Sequence, residues 1–409
     1  MVLTLHLSSS FLRVCLKRWG HVTSRRPLAT NRRPGDLPPT ILKDVFFGKN
    51  NVAKRIESAS FAKDSSCGSN TQRADLQPAC LREELLCKVS EPLRDCCHKV
   101  SIVGAGMVGV SIANALLFQK IVPHIALVDA FPKKLEGEGM DLCHSSFLLG
   151  DPRIEYDTDF CITSNSRVVV LCAGVRQQKN ETRLDLTKRN VDIFKTIVPP
   201  LLGFSPNAVF VIVANPVDIL SWVTWKVSCL PFYRIVGSGT YIDCSRFRYL
   251  IGERLGIASS SVNAYIIGEH GDSQVPLWSG VSVAGVQFRD IIPNIGLETD
   301  EEKWYEIAKQ VARLGPTVRC LKGYTSTGIS LCVADIVEAI LANSQRVLPV
   351  STMIQGHYDV CHEMFLSLPC VVGENGITKI VRQRMTEFEK KSFQTSANTV
   401  YNVQKDIKL

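Results

Sequence analysis

Two short polar stretches of this 409-residue chain carry side chains able to move a proton and to grip a small acid. In Gly268–Glu269–His270–Gly271–Asp272 an imidazole stands between glycines, with acids close by and no packed helical face to belong to. Histidine changes charge near neutral pH, so it can hand a proton to a carbonyl oxygen and take one back. In Asp243–Cys244–Ser245–Arg246 a carboxylate and a guanidinium are three residues apart. A carboxylate beside an imidazole fixes its tautomer and favours its charged form, and a guanidinium offers a substrate carboxylate a bidentate fork. A lone histidine is often a core residue satisfied by backbone. The acids around His270 and the separate Asp243–Arg246 pair favour the chemical role.

A third stretch suits a dinucleotide. An apolar run over residues 100–103, short enough for a buried strand, passes directly into Gly104–Ala105–Gly106–Met107–Val108–Gly109 and then into a helix-permissive segment. Gly104 allows the sharp turn, Gly106 removes a side chain where a pyrophosphate must approach the backbone, and Gly109 lets the helix pack on the strand. The helix's first amides, with the positive end of its dipole, then face the phosphates. A second strand over 125–128 ends on Asp129, 20 residues beyond Gly109. A carboxylate there accepts the ribose hydroxyls of NAD and repels a 2′-phosphate.

The elements that must position these residues alternate. A helix over 133–149, strands over 153–156 and 168–172, a long helix over 184–202 and a strand over 209–213 ending at Asn215–Pro216 make an α/β pattern: a Rossmann-type doubly wound parallel sheet. In such sheets ligands sit beyond the carboxyl ends of the strands, so Gly104, Asp129, Gly174 and Asn215 should gather at one edge. Beyond Gly237 the pattern becomes mixed, an α+β catalytic domain. A helix over 247–255, extended pieces over 263–267 and 281–285, and helices over 303–314, 330–342, 380–391 and 396–407 are expected. The domains are a targeting or disordered extension over 1–74, an N-terminal arm over 75–96 that reads as helical (Leu81, Leu85, Leu86, Val89), the dinucleotide domain over 97–239 and the catalytic domain over 240–409.

Charge narrows the function classes. The net charge is +8, yet seven basic residues and no acid fall within residues 1–34, so the rest of the chain is almost neutral. That argues against a nucleic-acid-binding body. A basic, acid-free segment with interspersed apolar residues has the composition of a mitochondrial transit peptide, and an untranslocated tail is the alternative. No stretch approaches the run of about 18 apolar residues that crosses a bilayer, so no membrane insertion is expected. The 15 cysteines are scattered, with Cys161, Cys172 and Cys332 in apolar surroundings, as buried reduced thiols are. Cys96–Cys97–His98 lacks zinc-site geometry, and no metal is expected.

From about residue 75 onward the chain resembles the vertebrate-type L-lactate dehydrogenases within the lactate/malate dehydrogenase family. The matching motifs occur in the family's order: the glycine turn at 104–109, Ala173–Gly174–Val175–Arg176–Gln177–Gln178, Glu181–Thr182–Arg183, Ala214–Asn215–Pro216–Val217–Asp218, Gly237–Ser238–Gly239, Asp243–Cys244–Ser245–Arg246, Gly268–Glu269–His270–Gly271–Asp272 and Lys322–Gly323–Tyr324–Thr325–Ser326. The resemblance implies a homotetramer, NAD as cofactor, and lactate and pyruvate as substrates. It makes His270 the acid/base with Asp243 behind it, Arg246 the carboxylate clamp, and Arg183 a residue of a closing loop that polarises the carbonyl. Asn215 would meet nicotinamide and substrate, Arg176 the phosphates, Asn190 the cofactor, and Thr325 and Gln177 the substrate pocket. A malate enzyme needs a cation at position 177 for the second carboxylate, and the neutral Gln177 speaks for lactate.

The chain departs from the family at Pro316, Arg319 and Thr327, where aromatic, apolar and tryptophan residues are usual, and at Tyr241 and Asn180. Altered pocket packing, with weaker pyruvate binding or lower turnover, is expected. A cofactor-binding relative with little catalysis is therefore an alternative reading, and malate dehydrogenase a further one.

Overall fold

The chain divides into two units, Met1–Arg73 and Ala74–Leu409. The computed structural model describes residues 85–89, 98–175 and 183–409, all in the second unit, so the leader and most of the arm lie outside the described residues. Six strands form the parallel body: β2 (Lys99–Val103), β3 (His124–Val128), β4 (Arg153–Asp157), β5 (Val168–Leu171), β6 (Val209–Ile212) and β7 (Ile235–Gly237), all preceded in the chain by β1 (Leu86–Lys88). They lie in the order β4-β3-β2-β5-β6-β7, every neighbouring pair parallel. That is the doubly wound order, with the chain reversing direction across the sheet between β2 and β5. The central strands β5 and β6 read as continuous apolar runs because helices cover both faces. β5 and β6 are buried at every residue.

Five helices position the first half of the cleft and the step beyond it: α1 (Met107–Phe118), α2 (Pro132–His144), α3 (Arg183–Phe204), α4 (Val217–Ser228) and α5 (Tyr241–Leu255). The helix expected over 133–149 is two pieces, α2 and a further turn at Ser146–Leu149. Helix α5 starts six residues before the expected 247, which places Asp243 and Arg246 in its first two turns.

The second half contains five two-residue strands, β8 (Val262–Asn263), β9 (Ile266–Ile267), β10 (Val275–Pro276), β11 (Ser282–Val283) and β12 (Val286–Gln287). Helices α6 (Tyr305–Lys322) and α7 (Thr327–Leu341) follow, then strands β13 (Arg346–Met353), β14 (Phe365–Gly373) and β15 (Gly376–Val381), and helix α8 (Glu387–Gln404). An aromatic cluster of Phe247, Trp278 and Trp304 supports α5 and α6 from below, Phe247 and Trp278 meeting edge-on at 4.9 Å.

Several expectations need correction. The two helices expected over 380–391 and 396–407 are a single helix, α8, that starts only at Glu387, and Ile380 belongs to β15. Within the described part of the arm, Leu86–Lys88 is a strand, paired antiparallel with β15 (Leu86 opposite Val381). Helix α6 does not stop at 314 but continues through Gly315 and Pro316. Cys161 is exposed in a surface turn, whereas Cys332 is buried. Apart from these corrections, the sheet itself continues past residue 239. Ser351 of β13 pairs with Gly237 of β7, and β14, β15 and β1 extend the same sheet to ten strands. Among the described residues no helix is long and apolar enough to cross a membrane.

Candidate active site

The three glycines of the turn differ in what a side chain would meet. At Gly104 (φ +100°) a Cβ would lie 2.5 Å from the backbone nitrogen of Ala173, and at Gly109 one would lie 2.0 Å from the carbonyl oxygen of Gly104. These two let β2, β5 and α1 close up. At Gly106, the residue before α1, a Cβ would meet nothing within 4 Å. Space left open beside the first amides of α1 fits a pyrophosphate, and Asp129 follows β3 at the same edge. Asp129 accepts from the Phe131 amide at 3.0 Å, which steadies one of its oxygens. Ala105 is buried and Met107 and Val108 begin the helix.

The loops after β5 and β6 are tied together by Asn190 of α3. Its Oδ1 accepts from the Val175 amide at 2.8 Å and its Nδ2 donates to the Asn215 carbonyl at 2.8 Å. Buried and bonded to backbone on both sides, Asn190 shapes the cofactor edge by holding loops. Asn215 itself is exposed beyond the end of β6. Arg183 is the first residue of α3, and its side chain is outside the described part, as are Arg176 and Gln177 altogether.

The proton-handling group is assembled from the second half. Thr240, just before α5, donates its hydroxyl to the Ile266 carbonyl at 2.6 Å, and its amide donates to Ser367 Oγ at 3.0 Å. Gly268 (φ +85°) exchanges backbone hydrogen bonds with Ser367 of β14. These bonds bring the start of α5 under the loop after β9. His270 Nδ1 then donates to Asp243 Oδ2 at 2.5 Å, and Arg246 Nη1 donates to Asp243 Oδ1 at 2.9 Å. Asp243 is buried, and with Nδ1 so engaged, Nε2 is the nitrogen left for a substrate. Burial pulls the His270 pKa down, but the charge and hydrogen bond of Asp243 outweigh it, and the net shift is upward. The imidazolium is thereby held into the neutral range.

The Arg246 guanidinium lies against Gly315 of α6, whose Cβ would be 3.5 Å from Nη1. Thr325, in the link between α6 and α7, is half-buried. Helix α7 packs on α1 and on α5, so the two halves of the cleft share a wall. Pro316, Arg319 and Thr327 are all exposed. Glu269 accepts from the Ser273 hydroxyl at 2.5 Å, and its amide donates to Ser396 of α8.

Asp218 was not singled out by sequence. It accepts from the backbone amide of His270 at 2.9 Å and from Ser351 Oγ at 2.6 Å. An acid in the first turn of a helix directly after a strand's carboxyl end was the available signal. Among the described residues, no group of three or more His, Cys, Asp and Glu side chains could hold a metal ion.

A glycine turn shaped for a dinucleotide, followed by a carboxylate-backed imidazole beside a guanidinium, defines a nicotinamide-dependent oxidoreductase acting on a small acid. Comparison with known sequences is more specific. Residues 98–237 match the lactate/malate dehydrogenase NAD-binding domain, and residues 240–408 the alpha/beta C-terminal domain of the same enzymes. The chain belongs to the lactate/malate dehydrogenase family. It is 48% identical over 330 residues to the L-lactate dehydrogenase B chain of Sceloporus woodi, covering 81% of this chain and 99% of that one. It is 47% identical over 324 residues to the C chain of Fundulus heteroclitus, covering 79% and 96%. Against the human B chain the identity is 45% over 331 residues, covering 81% and 99%.

Proposed function

We propose that the chain is an L-lactate dehydrogenase, interconverting (S)-lactate and pyruvate with NAD. The observation that carries the proposal is the bonded set His270–Asp243–Arg246, with His270 Nε2 left for substrate. NAD, when bound, supplies and accepts the hydride at the substrate's carbonyl carbon. The glycine turn and the first amides of α1 would hold its pyrophosphate, Asp129 its ribose, and Asn215 the nicotinamide side.

The remaining work belongs to the chain's own residues. Arg246 grips the substrate carboxylate and sets the carbonyl in reach of His270. In pyruvate reduction the imidazolium donates its Nε2 proton to the carbonyl oxygen; in lactate oxidation the neutral ring takes the hydroxyl proton back. Asp243 keeps the tautomer fixed and stabilises the charged ring in both directions. Arg183 closes over the substrate and adds positive charge at the oxygen. Gln177 leaves a second carboxylate without a partner, so pyruvate is preferred over oxaloacetate.

The chain further reads as a homotetramer, supported by its large exposed apolar residues, and as a mitochondrial protein, supported by the basic acid-free leader. The test of the chemistry is NADH oxidation by the purified full chain with pyruvate and oxaloacetate side by side. Pyruvate-dependent turnover lost in His270→Asn supports the reading. Tight NADH binding without turnover of either acid would place the protein among cofactor-binding relatives. Gln177→Arg should bring oxaloacetate activity up.

A further inference from the structure

Asp218 is a buried acid that the mechanism above does not use. We propose that Asp218 is a positioning residue, holding His270 and Asn215 in fixed relation so that proton and hydride reach one carbonyl group; this rests on the dehydrogenase reading. The side chain is 3% exposed and, among the described residues, has no cation bonded to it, so packing alone would favour an apolar residue. Its two oxygens instead serve two different elements. Oδ1 accepts from Ser351 of β13, and Oδ2 accepts from the amide of His270. That amide follows Gly268, whose positive φ ends the run of β9, so no ladder partner takes it. Asp218 provides the acceptor.

The same short segment carries Asn215. Two residues separate them, with Pro216 just before α4 and Asp218 in its first turn, where the helix end favours an anion. The Asn215 carbonyl is bonded by Asn190. The segment is therefore fixed at both ends, and the backbone of His270 hangs from one of them while its ring is held by Asp243 from α5. A displacement of about 1 Å between proton donor and reacting carbon is enough to cost two orders of magnitude in rate.

Asp218 also adds charge. The groups that act on His270 are Asp243 and Arg246 from α5 and Asp218 from α4; its own loop carries Glu269 and Asp272, and β13 and β14 contribute the neutral Ser351 and Ser367. Burial pushes the Asp218 carboxyl up to about 7, against the pull of its two hydrogen bonds. Its ionised form favours the imidazolium. Loss of that charge must lower the His270 pKa.

Two variants separate the contributions. Asp218→Asn keeps an oxygen for the His270 amide and an NH2 for Ser351 while removing the charge; Asp218→Ala removes the acceptor. The readouts are the titration of His270 by NMR of the full chain carrying 13C-labelled imidazoles, with His270→Asn as the assignment control, and steady-state kcat, KM and NADH binding. In Asp218→Asn the His270 pKa is expected to fall by about one unit and kcat by about three- to tenfold. In Asp218→Ala kcat is expected to fall about 100-fold, with NADH affinity within about threefold of the parent. A His270 titration in Asp218→Asn within about 0.2 unit of the parent overturns the proposal, as does Asp218→Ala keeping kcat within about threefold. Parent turnover with pyruvate decides the dehydrogenase reading separately, and the titration decides Asp218 whatever that turnover proves to be.

Discussion

At the scale of single residues, the site is a contest between burial and charge, and His270 shows which wins. Desolvation alone would leave the ring neutral at physiological pH, but the adjoining Asp243 carboxylate reverses the sign. Pyruvate reduction needs the charged ring, so its kcat/KM should hold at low pH and fall only as pH rises through the raised His270 pKa. Lactate oxidation needs the neutral ring and should show the mirror image. Asp243→Asn removes the largest upward influence, and the descending limb of pyruvate reduction should move to lower pH, with a loss of at least about tenfold at neutral pH. A pH–rate profile of the variant superimposing on that of the parent would dismiss Asp243 from this role. His270, Asp243 and Arg246 were legible from sequence because each is a charged residue at a break in apolar periodicity. Asp218, Ser351 and Ser367 were not. Their importance lies in which groups they meet across distant elements, and no local spacing encodes that.

At the scale of elements, the first half of the fold could be read because parallel strands buried on both faces appear as short uninterrupted apolar runs, and glycine turns separate them from helices. Strands β13, β14 and β15 escaped that reading. Proline cannot donate to a ladder and argues against a central strand, yet β13 and β14 each contain one, and the register sets Pro349 directly opposite Pro369. Helix α6 hid for a related reason: Gly315 and Pro316 resemble a helix stop but lie inside it. Pro316 lacks the amide that would bond the Ala312 carbonyl, so Pro316→Ala should stabilise the protein by up to about 3 kcal/mol, read as a higher melting temperature. A lower one would show that the ring is packed to advantage. The glycine turn gives a sharper contrast. Gly109→Ala drives a Cβ into the carbonyl of Gly104 and should prevent stable folding, whereas Gly106→Ala has open space. The Gly106 variant should melt with the parent and bind NADH at least about tenfold more weakly. Equal NADH affinity would move the pyrophosphate elsewhere.

At the scale of the whole molecule, the described sheet ends in two edges, β4 and the three-residue β1 that covers β15. An uncovered antiparallel edge is a template for another chain, so the arm protects β15 by pairing with it. Much apolar surface is nevertheless left outside. Phe147 is 84% exposed, Leu148 79% and Leu321 81%, values more usual for residues that a partner covers than for a monomer's surface. The proposed homotetramer would account for the exposed side chains, with copies of the chain burying them. The chain from Asp75 should therefore sediment with the mass of four chains, and Phe147→Lys with Leu148→Lys should shift it to a smaller assembly while leaving NADH binding intact. Truncation to Lys99 removes β1, uncovers β15 and should give aggregates or smaller species in place of the tetramer. A mass of one chain for the protein beginning at Asp75, with activity retained, would mean that the exposed apolar residues serve some surface other than its own copy.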